Sequence, residues 1–410
     1  MENLLTGYLC IRCSREFAAE KLNYTCSCGA NLDAVYDYEK LSRTWSKNQL
    51  DNNRDRSIWR YLPLLPVQNK PENTSFQVGG TPLVKSEILA QRLGLNRVYL
   101  KDETRNPSGS LKDRASEIAI SHALEHNRDT LVAASTGNAA ASLSILTANR
   151  NMSAVILAPA SAPPAKLIQI LQGGARLITI DGIYDQAFDL SMKLSNTSGY
   201  YSRSTGINPV LSEGKKTAAL EIAEQLNWEP SDYVFVPAGD GCIIGGIYKG
   251  FYDLFKLGWI PRVPKLVAVQ AKGSSAIVNA LENGGLIQPV QADTLADSIQ
   301  VDTPRDGEKA LNAVRNSDGF GIRVSDDNIL DAQYELSRFT GLFAEPAAAA
   351  AYAGLRAAMD ENRIPQNSSV TLLITGTGLK DLTSAQRRIK LPEPVQPNLK
   401  EIDALLQDTI

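Results

Sequence analysis

The sequence predicts an α/β fold built on parallel β-sheets, and three observations support that class. Each apolar stretch of strand length is followed by a stretch with helical periodicity, and several of these pairs are joined by a glycine-containing turn. At 410 residues the chain is long enough for two or three domains. Such alternation predicts helices on both faces of the sheets and ligands at the carboxyl ends of the strands. The strand centres are Val98, Val132, Val155, Leu177, Val234, Leu266 and Val370.

The first element is a cysteine-rich segment. Cys10 and Cys13 form a C-x2-C pair, and after twelve intervening residues Cys26 and Cys28 form a C-x-C pair. A polar segment of this length cannot bury a stable core unaided. Residues 1–36 are therefore predicted to be a small zinc-ribbon-like module held by a structural zinc ion. Reduced or disulfide-paired thiols are the alternative, although disulfides are rare in cytosolic proteins.

Two less regular segments flank the predicted sheets. Residues 37–78 mix charged residues, asparagine and proline, and are predicted to be a connector that docks through residues 57–61 (Ser-Ile-Trp-Arg-Tyr). Residues 391–410 are predicted to be a C-terminal tail, with prolines followed by an amphipathic stretch. That tail either docks on a neighbouring subunit or frays.

A lysine between a Gly/Ser turn and a helix is the main candidate for chemistry. Lys112 follows residues 106–111 (Asn-Pro-Ser-Gly-Ser-Leu) and precedes Asp113 and Arg114. A primary amine becomes a nucleophile or a base when burial or a cationic neighbour lowers its pKa, and Arg114 is the expected neighbour. Most lysines are solvated surface charges, so this interpretation depends on the motifs that accompany Lys112.

A second turn joins a predicted strand at residues 131–133 to a predicted helix at residues 139–147. It contains Ser135, Thr136, Gly137 and Asn138, with Asn138 directly before the helix. Ser and Thr are good helix caps, so simple N-capping is one interpretation. The same geometry directs backbone N–H groups toward the sheet edge, where they bind an anion.

A third turn, residues 239–246, follows the predicted strand at residues 233–236. Its glycines miss the G-x-G-x-x-G spacing of dinucleotide sites, and position 259, where an acidic residue is required, is Trp. A phosphate monoester held by backbone amides remains compatible. Asp240 would repel it, so its side chain is expected to point outward or to cap amides of its own loop. We expect Cys242 to lie in this loop because its side chain is small, and not because of its thiol.

Composition excludes several classes of function. The formal net charge of −3 argues against nucleic acid or an anionic membrane as the main partner. The two histidines, His122 and His126, lack an intervening H-E-x-x-H pattern, so a polar helix face is favoured over a metal site. The N-terminus has no signal-peptide pattern and no stretch is long enough to cross a bilayer. We expect a cytoplasmic protein.

Taken together, the motifs resemble the pyridoxal-phosphate enzymes of fold type II, and within them the chain is most similar to the threonine synthases. The resemblance covers nearly the whole chain in the right order. It implies a two-lobed, parallel-sheet α/β fold, with residues 111–208 as the small lobe and residues 79–110 and 209–390 as the large pyridoxal-phosphate-binding lobe. The motifs that carry it are P-S-G-S-x-K-D-R around Lys112, S-T-G-N at 135–138, the glycine loop at 239–246, T-G-T-G-L-K-D at 375–381, and shorter matches at 57–61, 79–83, 208–209, 213–217 and 344–347.

The same resemblance implies a role for each site residue. Lys112 would form the internal aldimine with pyridoxal phosphate and then shuttle protons. Asn138 would bond the cofactor's ring hydroxyl, and Thr375 its pyridine nitrogen. The cofactor's phosphate would be wrapped by Gly239, Asp240, Gly241, Cys242 and Ile243. The substrate would be bound by Ser135, Thr136, Gly137, Asn138 and Lys216, the first four as a clamp for its α-carboxylate.

The implied reaction converts O-phosphohomoserine and water to threonine and phosphate in a homodimeric enzyme. Two positions depart from the threonine synthase pattern: Leu211 replaces the arginine of N-P-x-R-x-E-G-x-K-T, and Thr377 replaces the histidine of T-G-H-G-L-K-D. An isobutyl group cannot replace a bidentate phosphate partner. Either another cation takes its place, from Lys215, Lys216, Arg105 and Arg203, or the leaving group is not phosphate.

Three alternatives therefore stay open. One is a β-replacing synthase acting on O-phosphoserine or another serine derivative, as cysteate and diaminopropionate synthases do. Another is a threonine or serine dehydratase. The third is a non-catalytic pyridoxal-phosphate-binding module.

Overall fold

Three β-sheets form the framework of the protein, which we describe from a computed structural model that covers residues 4–71, 76–148, 150–162 and 164–407. The first is a three-stranded antiparallel sheet of β1 (Leu5–Cys10), β2 (Glu16–Phe17) and β3 (Leu32–Tyr36), in the order β2-β1-β3. Alternate residues of β3 are buried, and they join the same hydrophobic core as the rest of the chain. The N-terminal segment thus lacks a separate core, as its composition predicted.

The second sheet has six strands in the order β12-β11-β10-β13-β5-β4. All neighbours are parallel except β4, which pairs antiparallel with β5 at the edge. Long parallel strands are buried on both faces, which explains their continuous apolar sequence. The strands are β4 (Leu83–Lys85), β5 (Arg97–Asp102), β10 (Tyr233–Pro237), β11 (Lys265–Ala271), β12 (Phe320–Val324) and β13 (Ser369–Ile374).

The third sheet is parallel and has four strands in the order β8-β7-β6-β9. All of its strands lie between residues 111 and 208. Its central strands β6 and β7 are largely buried, whereas the edge strand β8 is largely solvent-accessible. The strands are β6 (Thr130–Ala134), β7 (Ser153–Pro159), β8 (Arg176–Ile180) and β9 (Tyr201–Ser202).

Fifteen α-helices connect and cover these sheets within the described ranges. Helix α8 lies between α4 and α9, and glycines allow this close approach: a Cβ added at Gly246 would lie 2.7 Å from Ser212 O, and one at Gly250 would lie 2.5 Å from Lys216 O. The helices are α1 (Tyr38–Thr44), α2 (Lys47–Asp51), α3 (Glu87–Leu93), α4 (Lys112–Glu125), α5 (Asn138–Thr147), α6 (Pro164–Gln172), α7 (Tyr184–Thr197), α8 (Val210–Gln225), α9 (Cys242–Lys256), α10 (Ala276–Glu282), α11 (Gly307–Asn316), α12 (Asp326–Thr340), α13 (Pro346–Asp360), α14 (Leu382–Gln386) and α15 (Leu399–Gln407).

The connector is more ordered than its composition predicted. A buried 3-10 segment, Ile58–Leu64, follows α1 and α2. Trp59 Nε1 donates to Glu117 Oε1 at 3.2 Å, and Arg60 forms an ion pair of 2.5 Å with Glu224. Residues 57–61 therefore dock the connector onto α4 and α8, as expected. No described helix combines the length and the apolar character needed to span a membrane.

Candidate functional site

The lysine turn and the segment after β13 are fixed to each other by their backbones. Leu111 N donates to Thr375 O at 2.9 Å, and Ser110 forms an isolated β-bridge with Gly376. Lys112 follows as the first residue of α4. Two candidate residues from distant parts of the sequence, Lys112 and Thr375, are thus brought together.

The amine of Lys112 has the environment of a base. Its side chain is partly buried, and burial lowers the pKa of its ammonium group to about 8. The positive charges of Lys215 and Arg203 add to the lowering, whereas Cys242 and Glu345 oppose it. An amine with this pKa exists partly in the neutral form near physiological pH, as proton transfer requires.

The expected role of Arg114 as the cationic neighbour of Lys112 is wrong. Its Nε lies 2.6 Å from Glu103 Oε2, and its Nη1 lies 2.6 Å from Glu221 Oε1. Glu221 also receives the ammonium of Lys101 at 2.6 Å. Residues two apart on a helix point in different directions, so Arg114 belongs to a buried ion cluster, and Lys215 and Arg203 are the cations near Lys112.

The loop after β10 has a backbone suited to an anion. Gly241 has a φ of 96°, and α9 begins directly after it at Cys242 without a side-chain cap. The first N–H groups of an uncapped helix are free to bind an anion. Lys215 Nζ donates to Cys242 Sγ at 2.9 Å, so a buried cation lies beside this loop.

Asp240 does not cap its own loop, which differs from the expectation. Its Oδ1 accepts from Arg305 N at 3.3 Å, and its carbonyl oxygen accepts from Asp306 N at 2.9 Å. Burial raises the pKa of its carboxyl group. The residue thus ties the loop to the segment that begins α11.

The turn after β6 meets residues from the six-stranded sheet. Helix α5 begins at Asn138, and no side chain caps it at Gly137, so N-capping does not explain Ser135 and Thr136. Asn138 Nδ2 donates to the two carboxylate oxygens of Glu345 at 2.9 and 3.0 Å, and Lys380 Nζ donates to Asn138 Oδ1 at 2.7 Å. Glu345 is buried.

A cavity of about 440 Å³ opens at this junction. Charged and polar side chains dominate its wall, and the N-terminus of α5 contributes Thr136 and Gly137. Lys112 is not part of this wall. The lining residues are Pro107, Ser108, Gly109, Thr136, Gly137, Asn138, Lys166, Gln169, Asp297, Ser298, Glu345, Pro346, Ala347, Thr377, Leu379, Lys380 and Asp381.

The structure does not bring Lys216 to the site. Its ammonium is fully buried and forms ion pairs with Glu213 and, at 2.7 Å, with Asp253. It also lies over the ring of Tyr36, 4.2 Å from the centroid. Two carboxylates already bind the ammonium group of Lys216, so this residue stabilises the packing beneath the N-terminal sheet. It does not contact the site, which differs from the expectation that it binds the substrate.

Several polar residues of the cavity had no role predicted from the sequence. Glu345 and Lys380 lie inside motifs that carried the family resemblance, but their pairing with Asn138 depends on contacts between distant segments. Asp297 and Ser298 lie in a stretch without a recognisable motif. Ser298 Oγ accepts from Asn138 Nδ2 at 3.3 Å, and Asp297 Oδ2 pairs with Lys166 at 2.6 Å.

The four N-terminal cysteines form one cluster. Their sulfur atoms all lie within 4.8 Å of one another, and none forms a disulfide. Cys13 N donates to Cys10 Sγ at 3.5 Å, and Gly29, with a φ of 83°, supplies the bend that the tight second pair requires. The Cys28 backbone N–H lowers the pKa of the Cys26 thiol to about 6. Four thiols at this spacing could hold one tetrahedral metal ion.

Comparison with known proteins gives the family. Residues 74–376 match the family described as pyridoxal-phosphate dependent enzyme. The chain is 35% identical to a threonine synthase from Methanocaldococcus jannaschii over 402 residues, which is 97% of this chain and 99% of that protein. It is 37% identical to a threonine synthase from Methanosarcina acetivorans, with 96% of each chain covered.

Solved structures agree on the fold. A threonine deaminase isoform 2 from Solanum lycopersicum superposes with a TM-score of 0.62 at 23% identity, covering 75% of this chain and 86% of that one. An L-serine ammonia-lyase from the fungus Rhizomucor miehei gives a TM-score of 0.66 at 22% identity, covering 75% and 96%. The chain belongs to the pyridoxal-phosphate-dependent enzymes of fold type II, within the threonine synthase-like group.

Proposed function

We propose that this threonine synthase-like enzyme converts O-phosphohomoserine and water to threonine and inorganic phosphate. The observation that carries the proposal is the position of Lys112, an amine with a pKa of about 8, fixed to the Thr375 segment and near an uncapped helix that follows a glycine loop. Near-full-length similarity to threonine synthases supports the choice of substrate.

The residues present fit pyridoxal phosphate. Lys112 Nζ would hold its aldehyde carbon, and Thr375, which is largely buried, would offer a hydroxyl to the ring nitrogen. Asn138 would donate to the ring oxygen, and the amides of residues 239–243 would bind the phosphate. When bound, the cofactor supplies an electron-accepting ring that stabilises negative charge on the substrate.

The protein's own groups would bind the substrate and move its protons. The N-terminus of α5, residues 135–138, would hold the α-carboxylate. Once its amine is released from the aldehyde by the amine of the substrate, Lys112 would remove the Cα proton and then a Cβ proton, after which the Cγ–O bond breaks and phosphate leaves. A proton returns to Cγ, water adds its hydroxyl group at Cβ and gives its other proton to the phosphate, and a last proton returns to Cα. These transfers balance to threonine and phosphate.

A second candidate is a β-replacing synthase acting on O-phosphoserine or another serine derivative. The observation that favours it is Leu211, which is buried where the family pattern has an arginine, together with Thr377 on the cavity wall. Neither side chain can bind a phosphate as an arginine does. Dehydration of threonine or serine would use the same first proton transfer at Cα.

A substrate panel distinguishes these reactions. The cofactor-loaded protein would be mixed with O-phosphohomoserine, O-phosphoserine, O-acetylserine, serine and threonine, and amino acids, 2-oxo acids and phosphate would be measured. Threonine and phosphate in equal amounts from the first substrate support the proposal. Consumption of serine derivatives alone supports β-replacement, oxo-acid formation supports dehydration, and no reaction with any compound contradicts an enzymatic role.

We also propose that residues 1–36 form a zinc-ribbon-like module with zinc bound by Cys10, Cys13, Cys26 and Cys28. The four free thiols, whose sulfur atoms all lie within 4.8 Å of one another, support this assignment. We further propose a two-lobed organisation, with the four-stranded sheet in the small lobe, a homodimer, and a cytoplasmic location. Metal analysis of the purified protein tests the zinc assignment directly.

A further inference from the structure

The buried cations of the protein fall into two groups. Most of them form an ion pair with a carboxylate. Arg203 and Lys215, both fully buried, form no ion pair with any described residue. The paired set is Arg60 with Glu224, Lys101 with Glu221, Arg114 with Glu103 and Glu221, Lys216 with Glu213 and Asp253, Lys249 with Asp253, and Lys309 with Asp33.

An uncompensated buried charge is costly, which makes these two cations informative. Moving an ion out of water costs several kcal/mol unless an opposite charge accompanies it. Six buried cations elsewhere in the described part of this chain meet that requirement with Asp or Glu. Arg203 and Lys215 feel carboxylates only beyond ion-pair distance, Asp113 for the first and Asp240 and Asp306 for the second. A bound anionic ligand would give each of them a direct partner.

Both cations contact candidate residues, and neither is among the residues that line the cavity. Arg203 follows β9 and donates to Ser116 Oγ at 3.1 Å, to Thr205 Oγ1 at 3.0 Å and, more weakly, to Lys112 O at 3.4 Å. All three acceptors are neutral. Lys215 contacts the sulfur of Cys242 at the start of α9, beside the loop proposed for the cofactor's phosphate.

The positions of these residues also bear on the arginine that Leu211 replaces. Four cations are close enough in the sequence motifs to be candidates for its role. Arg105 is largely exposed and lies 3.5 Å from Asp102, and Lys216 is neutralised by two carboxylates. Only Arg203 and Lys215 combine burial with the absence of a carboxylate partner in the described part of the chain.

We propose that Arg203 determines specificity by binding the phosphate of the substrate, while Lys215 neutralises the phosphate of the cofactor. The proposal rests on the proposed function and narrows it to phosphomonoesters of hydroxy amino acids. One cation beside the cofactor loop suffices for one phosphate. The second has a counter-ion only if the substrate carries an anionic group besides its α-carboxylate, which O-acetylserine, serine and threonine lack.

The first test uses the wild-type holoenzyme and two matched ligands. Norvaline and 2-amino-5-phosphonopentanoate share a carbon skeleton, and only the second carries a phosphonate. Binding is followed through the absorbance of the cofactor. We expect the phosphonate to bind at least about 100-fold more tightly, the order of magnitude of a charge-assisted pair. Equal affinity for the two ligands would overturn the proposal, whatever happens to any variant.

The second test uses Arg203→Gln and Arg203→Lys. We expect the KM for O-phosphohomoserine and the dissociation constant of the phosphonate to rise about 100-fold in the first variant and less in the second. The ratio of phosphonate affinity to norvaline affinity should fall by a similar factor, which separates loss of the phosphate contact from any change in the pKa of Lys112. The double variant Arg203→Leu/Leu211→Arg, which restores the family arginine, should recover phosphonate binding.

The control is Arg262→Gln, which removes an exposed arginine paired with Asp232 and should change none of these constants. Thermal midpoints and cofactor absorbance show whether each variant is folded. Loss of cofactor affinity in Arg203→Gln with unchanged phosphonate selectivity would place Arg203 at the cofactor's phosphate and reject the proposal. If the wild type forms no threonine yet prefers the phosphonate, the reaction assignment fails while the anion subsite stands.

Discussion

At the scale of single residues, the pKa of a buried lysine is set by its neighbours. Burial by itself lowers the pKa of Lys309, but Asp33 and Asp306 outweigh that effect and raise it. Burial also lowers the pKa of Lys112, where Lys215 and Arg203 reinforce the effect and it reaches about 8. The same side chain is therefore a fixed charge in one place and, in the other, an amine that is partly neutral near physiological pH.

This difference predicts how cofactor capture depends on pH. Only a neutral amine attacks an aldehyde, so the rate at which apo-protein takes up pyridoxal phosphate should rise through about pH 8 and then level off. The measurement is the initial rate of the absorbance change after mixing, over a pH series. A rate that keeps rising toward the ordinary lysine pKa of 10.5 would show that Lys112 is not desolvated.

The residues predicted from the sequence fall into two groups: those that a local motif identifies and those whose role depends on a distant partner. Lys112 and the loop at 239–243 stand out because a local motif fixes both the residue and the backbone around it. Arg114 was wrongly assigned because the sequence shows a charge but not its partner. Glu103 and Glu221, which neutralise it, are eleven and more than a hundred residues away.

At the scale of elements, the loop between β10 and α9 depends on one glycine. Gly241 has a φ of 96°, and a Cβ added there would lie 2.6 Å from the carbonyl oxygen of Asp306. A left-handed conformation costs other residues about 1–2 kcal/mol, and this contact adds a displacement of the loop. We expect Gly241→Ala to lower the affinity for pyridoxal phosphate at least about tenfold.

A matched control exists for that variant in the turn after α9. Gly258 also has a positive φ, 69°, but a Cβ added there would meet no atom within 4 Å. Gly258→Ala should reduce thermal stability without changing the cofactor's dissociation constant, which is measured by titrating apo-protein. Similar cofactor affinities for the two variants would mean that the loop does not hold the phosphate.

Helix α4 contains a second pH-sensitive group, His122. Its Nδ1 lies 2.9 Å from Tyr201 Oη, its Nε2 lies 3.5 Å from Tyr8 Oη, and its ring stacks on His126. Burial lowers the pKa of His122 from 6.5 to about 3, and His126 adds to this. Between these values the unfolded chain binds more protons than the folded one, so folding stability falls as the pH drops below about 6.5.

The expected loss due to His122 is about 2 kcal/mol between pH ~8 and pH ~5. Denaturant unfolding of wild type and His122→Gln at both pH values isolates this contribution, because carboxylates titrate in both proteins. The wild type should lose about 2 kcal/mol more than the variant. An equal loss in the two proteins would show that His122 is protonated within the fold.

Some elements could not be predicted from the sequence. Seven strands were located by apolar runs, and the edge strands β4, β9 and β12 were not. Strands β4 and β9 are too short to give a pattern, and the apolar run of β12 is interrupted by Gly321 and Arg323. The glycines at 245 and 246 were assigned to the loop, whereas the helix has begun by Cys242. Gly246 faces Ser212 O on α8, so it serves helix packing, which sequence spacing alone cannot distinguish from ligand binding.

At the scale of the whole molecule, the N-terminal cysteine segment contacts both the segment that follows β9 and the start of α11. Asn31 Nδ2 donates to Gly206 O at 2.8 Å, on the segment that follows β9, and it also bonds the Asp306 carboxylate at the start of α11. Asp306 N in turn donates to Asp240 O in the loop beside Cys242. One side chain, three residues beyond the last cysteine, thus supports the proposed phosphate loop from outside.

This connection predicts that metal and cofactor binding are coupled. Chelating the proposed zinc ion should release the loop around Asn31, lower the thermal midpoint and weaken pyridoxal phosphate binding. Asn31→Ala should weaken cofactor binding about tenfold with the metal content unchanged, because it leaves buried acceptors on Gly206 and Asp306 without a donor. The control is Asn23→Ala, whose side chain bonds only to Lys21 O in its own turn. If chelation lowers the thermal midpoint while Asn31→Ala leaves the cofactor's dissociation constant unchanged, the module stabilises the fold but does not position the loop.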